Sequence, residues 1–324
     1  MTRTHHLLVK GPQGGRRLDV FVASAVEALS RSQAKRLIED GFVLVEGEEA
    51  KPAAKVRVGD EIEVTVPPPQ AAGLVAEPIP LDVLFEDEWL VAVNKLPGMV
   101  VHPAAGHWTG TLVNALVYHC GPSFAREAAS FGGQAMSEGS EPMRPGIVHR
   151  LDKETSGVIV AAKQSEAHWR LAEQFAAREV EKEYRALVGG AVGEERLVVA
   201  ARIERHPKER KRMRVSSDAG REAETVLEVI ERFADATYLR ARPKTGRTHQ
   251  IRVHCAHVRH PVLGDNVYGR RKAERRLGLD VPRQMLHAYR LGFMHPVTSK
   301  RLELTAPLPA DFEAVLAALR GHTS

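Results

Sequence analysis

The first residue here equipped for chemistry is a carboxylate set among cations in an otherwise apolar stretch. "HRLDKETSG" (His149 to Gly157) carries Asp152 between Arg150 and Lys153, and "GIV" and "GVIVAAK" on either side read as buried strands. That order predicts a loop at the edge of a core. An ionised carboxylate there is costly unless paired, and an arginine partner would hold its pKa low and keep it anionic. On this loop alone, Asp152 could equally cap a turn or bridge to Arg150. Two later stretches carry groups able to join it. In "EKEYRALVGG", a strand, alternation sets Tyr184 on one face with Ala186 and Val188. In "PKTGRTHQIRVH" (Pro243 to His254) a glycine turn leads into a helix, with Ile251, Cys255 and Val258 inward and Arg252 one step round, at the margin of the core. Taken singly, Tyr184 fits a core tyrosine and Arg252 a surface cation.

Two other chemistries are open to these residue types. His249, His254, His257 and His260 cluster, but steps of three on a helix make the outer residues diverge, and the nearest acid is Asp265. A metal-dependent hydrolase is therefore disfavoured, and no metal is expected. Asp152 and Glu154, two apart in a loop, need not converge as a glycosidase pair.

The elements that must carry these residues can be read outward from them. "LDVFVASAVEAL" has helical spacing at Leu18, Phe21, Val22 and Ala25, and "SRSQAKRLIEDG" predicts a second helix with a Ser30 and Gln33 capping box and a stop at Gly41. Ala34, Leu37 and Ile38 share its packing face, while Arg31 and Lys35, with Arg36 beside them, are left for phosphates. "FVLVEGEEA" and "DEIEVTV" alternate as strands around Gly47 and Gly59. "PPPQAAG" (Pro67 to Gly73) breaks all periodicity and reads as a linker. Beyond it "WLVAVNK" is a buried strand and "TLVNALVYHC" a helix with Leu112, Ala115, Leu116 and His119 on one side. Gly121 to Pro145 has no period and reads as a loop, and an amphipathic helix begins near Ser165.

Composition narrows the class. A chain of 324 residues with 43% hydrophobic content can bury two cores. No apolar run approaches the roughly 18 residues needed to span a bilayer, and "MTRTHHLLVKGP" lacks the apolar core of a signal peptide. With only Cys120 and Cys255, both expected to be packed thiols, the reading is a cytoplasmic protein with no membrane partner. The net charge of +5 is clustered in "RHPKERKRMR" (Arg205 to Arg214) and "GRRKAERR" (Gly269 to Arg276), which points to a phosphate backbone. RNA binding without catalysis would account for this charge, but not for an acid at the edge of a core.

Together these stretches resemble the RluA family of RNA pseudouridine synthases. "RPGIVHRLDKETSG" is similar to its aspartate motif, "EKEYRALV" to its tyrosine motif and "GRTHQIRVH" to its arginine motif. The likeness runs on through "NKLPGMVVHP", "HPVLGDNVYG" and "LHAYRLGFMHPVTSKRLELTAPLP", and the helix, helix and hairpin at the start resemble an S4-type RNA-binding domain. "RHPKERKRMRV" and "VVHPAAGHWTGTLVNALV" bring it nearest to the RluD type, which acts on 23S rRNA.

The resemblance implies an α+β chain. An S4-like domain over 16–66 and a linker over 67–73 would precede a catalytic domain over 74–324, with a mixed, largely antiparallel central sheet and a cleft. It implies that Asp152 is the essential residue, as nucleophile or as base, acting on a flipped-out uridine in the helix 69 stem-loop of 23S rRNA or its precursor. Arg252 would pair with it, and Tyr184 would stack on the base and could assist proton transfer at C5. Breaking N1 from C1′ and rejoining through C5 needs no cofactor. Arg31, Lys35, Arg36, His149, Arg150, Lys208, Arg210, Lys211, Arg212 and Arg247 would hold RNA. A monomer is expected.

Overall fold

A computed structural model describes residues 3–26, 29, 31–66, 75–102, 109–130, 146–209, 212–269 and 278–321. The linker 67–73, Ser30, Arg210, Lys211 and the side chains of Gln33 and Arg36 lie outside the described residues. The chain divides into two compact units on either side of the 67–74 segment.

In the first unit the strands are β1 (Arg3–Leu8), β2 (Val43–Val45), β3 (Glu48–Glu49) and β4 (Glu61–Val66), and the helices α1 (Leu18–Ala25) and α2 (Arg31–Glu39). The sheet order is β1-β4-β2-β3, antiparallel throughout. Leu18, Phe21 and Val22 of α1 and Ala34 and Ile38 of α2 meet Ile62 and Val64, the inward residues of β4, in one core. Gly41, at φ 77°, ends α2 as its composition predicts, with the Phe42 N–H bonded to the Leu37 carbonyl at 2.8 Å. β1 has no counterpart in the sequence reading; it pairs along the whole of β4.

The second unit is built on a nine-stranded sheet. Its strands are β5 (Val83–Glu86), β6 (Leu90–Lys95), β7 (Ser156–Ala162), β8 (Glu181–Gly189), β9 (Arg196–Ala200), β12 (Glu224–Arg232), β13 (Ala236–Pro243), β14 (Leu286–Met294) and β15 (Arg301–Thr305). A separate hairpin comprises β10 (Arg202–Arg205) and β11 (Met213–Ser216). The sheet order is β5-β6-β7-β14-β8-β13-β12-β9, with β15 on β14, and only β7 and β14 run parallel. It is mixed and largely antiparallel, as expected.

β6 and β7 read as unbroken apolar runs because both their faces are covered. Val91, Val93, Ile159 and Ala161 face one core with α3 (Leu112–Ser130), while Leu90, Ala92, Val158 and Val160 face another with α4 (Ser165–Ala177). Gly157 sits at φ 112° where β7 meets β14, and a Cβ there would run into the Ala288 carbonyl. α5 (Gln250–His257) lays Ile251 and Cys255 on Ala186, Val188 and Leu239. α6 (Ala310–Gly321) packs Phe312 and Leu316 against Leu187 and Tyr238.

Three expectations are corrected. Of the Gly121 to Pro145 loop, 122–130 is helical and continues α3 across a break at Gly121 (φ 80°), while 131–145 lies outside the described residues: Pro122 cannot continue the first segment but is suited to begin the next, and Phe124 is buried. His119 does not share the buried side of Leu112 and Leu116; it is exposed and bonded to Glu86 Oε2 at 2.7 Å. "GIV" forms only an isolated bridge from Ile147 to Ala161, and no strand. Among the described residues no helix is long and apolar enough to cross a membrane.

Candidate active site

The loop before β7 is held by its backbone. Lys95, at the end of β6 and 1% exposed, donates to the carbonyls of Leu96 (2.8 Å), Met99 (2.9 Å) and Lys153 (3.1 Å). Burial pulls its amine down to about 7, while three acceptors for three ammonium protons favour the charged form. From the other side Arg283 Nη1 donates to the Glu154 carbonyl at 3.0 Å, and Gln284 Nε2 donates to Thr155 Oγ1 at 2.6 Å. The Thr155 N–H closes the turn on the Asp152 carbonyl at 3.0 Å. The side chain of Asp152 is thereby free to serve a distant partner.

That partner is Arg252, one hundred residues on. Its Nη1 donates to Asp152 Oδ2 at 2.8 Å, while Nε and Nη2 donate to the two oxygens of Asp265 at 2.7 and 2.9 Å. Side-chain exposure falls along this chain from 19% at Asp152 to 6% at Arg252 and 0% at Asp265. Burial alone would raise the Asp265 carboxyl, but its bonds to Arg252 and to the Tyr268 and Val267 N–H groups leave it below the usual range. Burial opposes the guanidinium charge too, and the two carboxylates overcome it, so Arg252 is held firmly protonated. A planar fork held along its Nε–Nη2 edge by Asp265 presents Nη1 to Asp152 in one orientation.

A second chain reaches the other oxygen. His249 Nε2 stands 3.8 Å from Asp152 Oδ1, and its Nδ1 is 2.8 Å from the Tyr268 hydroxyl, which accepts from the Met213 N–H at 2.8 Å. A hydroxyl that accepts there can donate to Nδ1, which puts the ring proton on Nε2, facing the carboxylate. Burial chiefly lowers the His249 pKa, so the imidazole is neutral. Tyr184, half-buried on β8, pairs with Ala241 and Ala288 of the flanking strands. Burial, then the charge of Asp152, push its phenol well above the ordinary value. It keeps its proton, so it can stack and donate but is not poised as a phenolate base.

Asp152, Tyr184, His249 and Arg252 line one cavity of about 420 Å³, a size suited to a small ligand. Of the residues expected to hold RNA, His149, Arg150 and Arg247 line it. His149 is occupied internally: Nε2 accepts the Val160 N–H at 3.0 Å, the ring stacks on Phe175 at 4.8 Å, and burial pulls its pKa down to about 3. It is therefore no phosphate-binding cation. Arg247 donates from Nε to the Glu222 carbonyl at 3.0 Å. Lys208 and Arg212 lie outside the cavity lining, Arg212 paired with Glu209 at 3.3 Å. In the first unit Arg31 is bonded to Asp19 at 3.2 Å and Lys35 pairs with Glu39 at 3.5 Å, both still more than half exposed.

His254 is bonded to Thr225 and to the Ala201 carbonyl, and His260 to the Gly189 carbonyl. No group of metal-ligating side chains converges among the described residues. Glu154 does not line the cavity. Sequence reasoning missed Asp265, Tyr268 and Lys95 as parts of the site. Lys95 ends the "WLVAVNK" strand and Asp265 enters only as the acid nearest the histidines; "NKLPGMVVHP" and "HPVLGDNVYG" mark both stretches by likeness, but nothing local ties either residue to Asp152.

With the geometry established, comparisons place the chain among known proteins. A family profile described as RNA pseudouridylate synthase matches residues 89–257, and one described as S4 domain matches 16–62. The chain is 42% identical over 308 residues to the uncharacterized RNA pseudouridine synthase YlyB of Bacillus subtilis, covering 95% of each. It is 43% identical over 314 residues to the ribosomal large subunit pseudouridine synthase D of Xylella fastidiosa, covering 94% of this chain and 89% of that one. Among solved structures, human RNA pseudouridylate synthase domain containing 1 matches with a TM-score of 0.54 at 25% identity, over 78% of this chain and 98% of that one.

Proposed function

The chain belongs to the RNA pseudouridylate synthase family and is an RNA pseudouridine synthase with an S4 domain, and from that premise we propose that its substrate is 23S rRNA. The target is a uridine of the helix 69 stem-loop, flipped out of the RNA onto Asp152. The relative named for the large ribosomal subunit supports an rRNA substrate, and the motifs shared with the RluD type support the stem-loop. The enzyme works as a cytoplasmic monomer. Residues 16–66 hold RNA, 67–73 link, and 74–324 catalyse.

The observation that carries this reading is the Asp152, Arg252 and Asp265 chain at the cavity wall. Isomerisation breaks the bond from uracil N1 to ribose C1′, turns the base, joins C1′ to C5, releases the C5 proton and returns one to N1. Atoms balance without a co-reactant. An ionised Asp152 can serve as nucleophile toward the ribose or the base, or as a base abstracting a ribose proton, and Arg252 favours the ionised form that each requires. Its Oδ1 has no hydrogen-bond partner among the described residues and is the atom available to substrate. A carboxylate at the edge of a core is beyond the reach of a stacked base, which is why the uridine must be extruded. Tyr184, a neutral phenol, stacks on the base and donates to it. The test is to map pseudouridine in rRNA and tRNA from cells with and without the gene. Loss at helix 69 uridines is expected; loss confined to tRNA would overturn the substrate.

A further inference from the structure

Lys182 and Tyr184 lie two apart on β8, so strand alternation sends both side chains to the cavity, with Lys182 roughly 7 Å nearer the start of the strand. Among the described residues the Lys182 amine has no hydrogen bond and no carboxylate at ion-pair distance. Its neighbours are cations. Arg178 is fixed beside it at the end of α4, in left-handed backbone (φ 64°) with its N–H bonded to the Gln174 and Phe175 carbonyls. Arg247 lines the same cavity, and burial, Arg178 and Arg247 together pull Lys182 down to about 8. With Arg150, Lys244 and Arg252, six cations line the cavity, while its single carboxylate, Asp152, is already held by Arg252.

Like charges gathered in a half-buried place oppose one another until an anion joins them, and an oxyanion with several oxygens can join three at once. We propose that Lys182, with Arg178 and Arg247, forms a phosphate subsite for the RNA phosphodiester attached to the nucleotide in the cavity. The subsite rests on the pseudouridine synthase reading. The lysine stands on the same strand face as Tyr184 and toward solvent from it, where the backbone of an extruded nucleotide must pass. Phosphate contacts of this kind position a substrate without reading its sequence.

The test pairs a protein change with an RNA change. A hairpin carrying the uridine mapped for the wild-type enzyme is made with a single uncharged methylphosphonate at the phosphate 5′ or 3′ of that uridine. Wild-type protein and Lys182→Met are each titrated with the natural and neutralised hairpins. On natural RNA, Lys182→Met should bind about tenfold more weakly, the loss of roughly one charge-assisted hydrogen bond. At one of the two positions the methylphosphonate should weaken the wild type by a similar factor and leave Lys182→Met nearly unchanged. Lys182→Arg should keep the sensitivity. Independent, multiplying losses at both positions, or a Lys182→Met protein that binds natural RNA as tightly as wild type, would overturn the subsite. The wild type on methylphosphonate RNA needs no variant to fold, and its losing no affinity at either position would overturn it as well. A wild-type enzyme that forms no pseudouridine in any RNA would instead refute the parent reading.

Discussion

Replacing Arg252 by methionine keeps most of the stem's bulk and removes the cation between Asp152 and Asp265. Asp152 is 19% exposed and can recover water, but Asp265 is fully buried and would keep only the N–H groups of Val267 and Tyr268. Removing one member of a buried ion pair costs about 3–5 kcal/mol, and most of that loss should fall on Asp265. Adding Asp265→Asn removes the stranded charge while leaving an amide oxygen to accept both N–H bonds. The double variant should therefore regain about 2 kcal/mol over Arg252→Met, a coupling usual for residues in direct contact. Activity should not return. Without the guanidinium nothing fixes Oδ2 of Asp152, and a misplacement of about 1 Å is worth about 100-fold in rate. Urea unfolding followed by tryptophan fluorescence gives the stabilities, and single-turnover pseudouridine formation gives the rates. A double variant no more stable than Arg252→Met would refute the pairing with Asp265. One that regains the wild-type rate would refute the orienting role of Arg252.

Two further outcomes follow from the buried groups. His287 is fully buried, with Nδ1 against Ser156 Oγ at 2.9 Å and Nε2 against the Ala306 carbonyl at 3.2 Å, and burial pulls its pKa down to about 4. Between the unfolded value near 6.5 and that value only the unfolded chain takes the proton, so stability falls as pH falls; from pH 7 to 5 this single group should remove about 2 kcal/mol. The stability difference between wild type and His287→Gln, read by urea unfolding at the two pH values, should shrink by that amount, and a constant difference would contradict the assignment. Tyr184→Phe keeps the ring and loses the hydroxyl, so RNA affinity should hold within about twofold while the single-turnover rate drops by roughly 10- to 100-fold; a large loss of binding would mean the hydroxyl holds substrate.

Local pattern and tertiary contact divide what the sequence made legible. Asp152 stood out because a polar loop interrupts two apolar runs, Tyr184 because alternation fixes its strand face, and Arg252 because it lies one step from an apolar helical stripe. Each is a statement about a residue and its near neighbours. Asp265 follows no period, and Gly264 beside it takes φ 73°, where a Cβ would meet the Arg283 carbonyl; the turn makes sense only once β14 is in place. Lys95 reads as the polar end of a strand, and nothing local says that a loop 58 residues on will cap it. β1 was overlooked because its two histidines hide the alternation that β4 completes. The helical run after Gly121 is not legible because the Gly121 to Pro145 stretch, rich in glycine, serine and glutamate, shows no period, although proline opens a helix as readily as it ends one.

The central claim is that Asp152 performs the chemistry and contributes little to holding RNA. Asp152→Asn is the direct probe, because Arg252 stays anchored on Asp265 and the cavity keeps its shape. The purified variant is given an rRNA fragment tritiated at uridine C5, with tritium release measured at saturating protein and affinity measured separately. No detectable release is expected, with affinity at or slightly above wild type, since one negative charge has left a site that faces phosphates. Release within about tenfold of wild type, a barrier change of only about 1.4 kcal/mol, would contradict it.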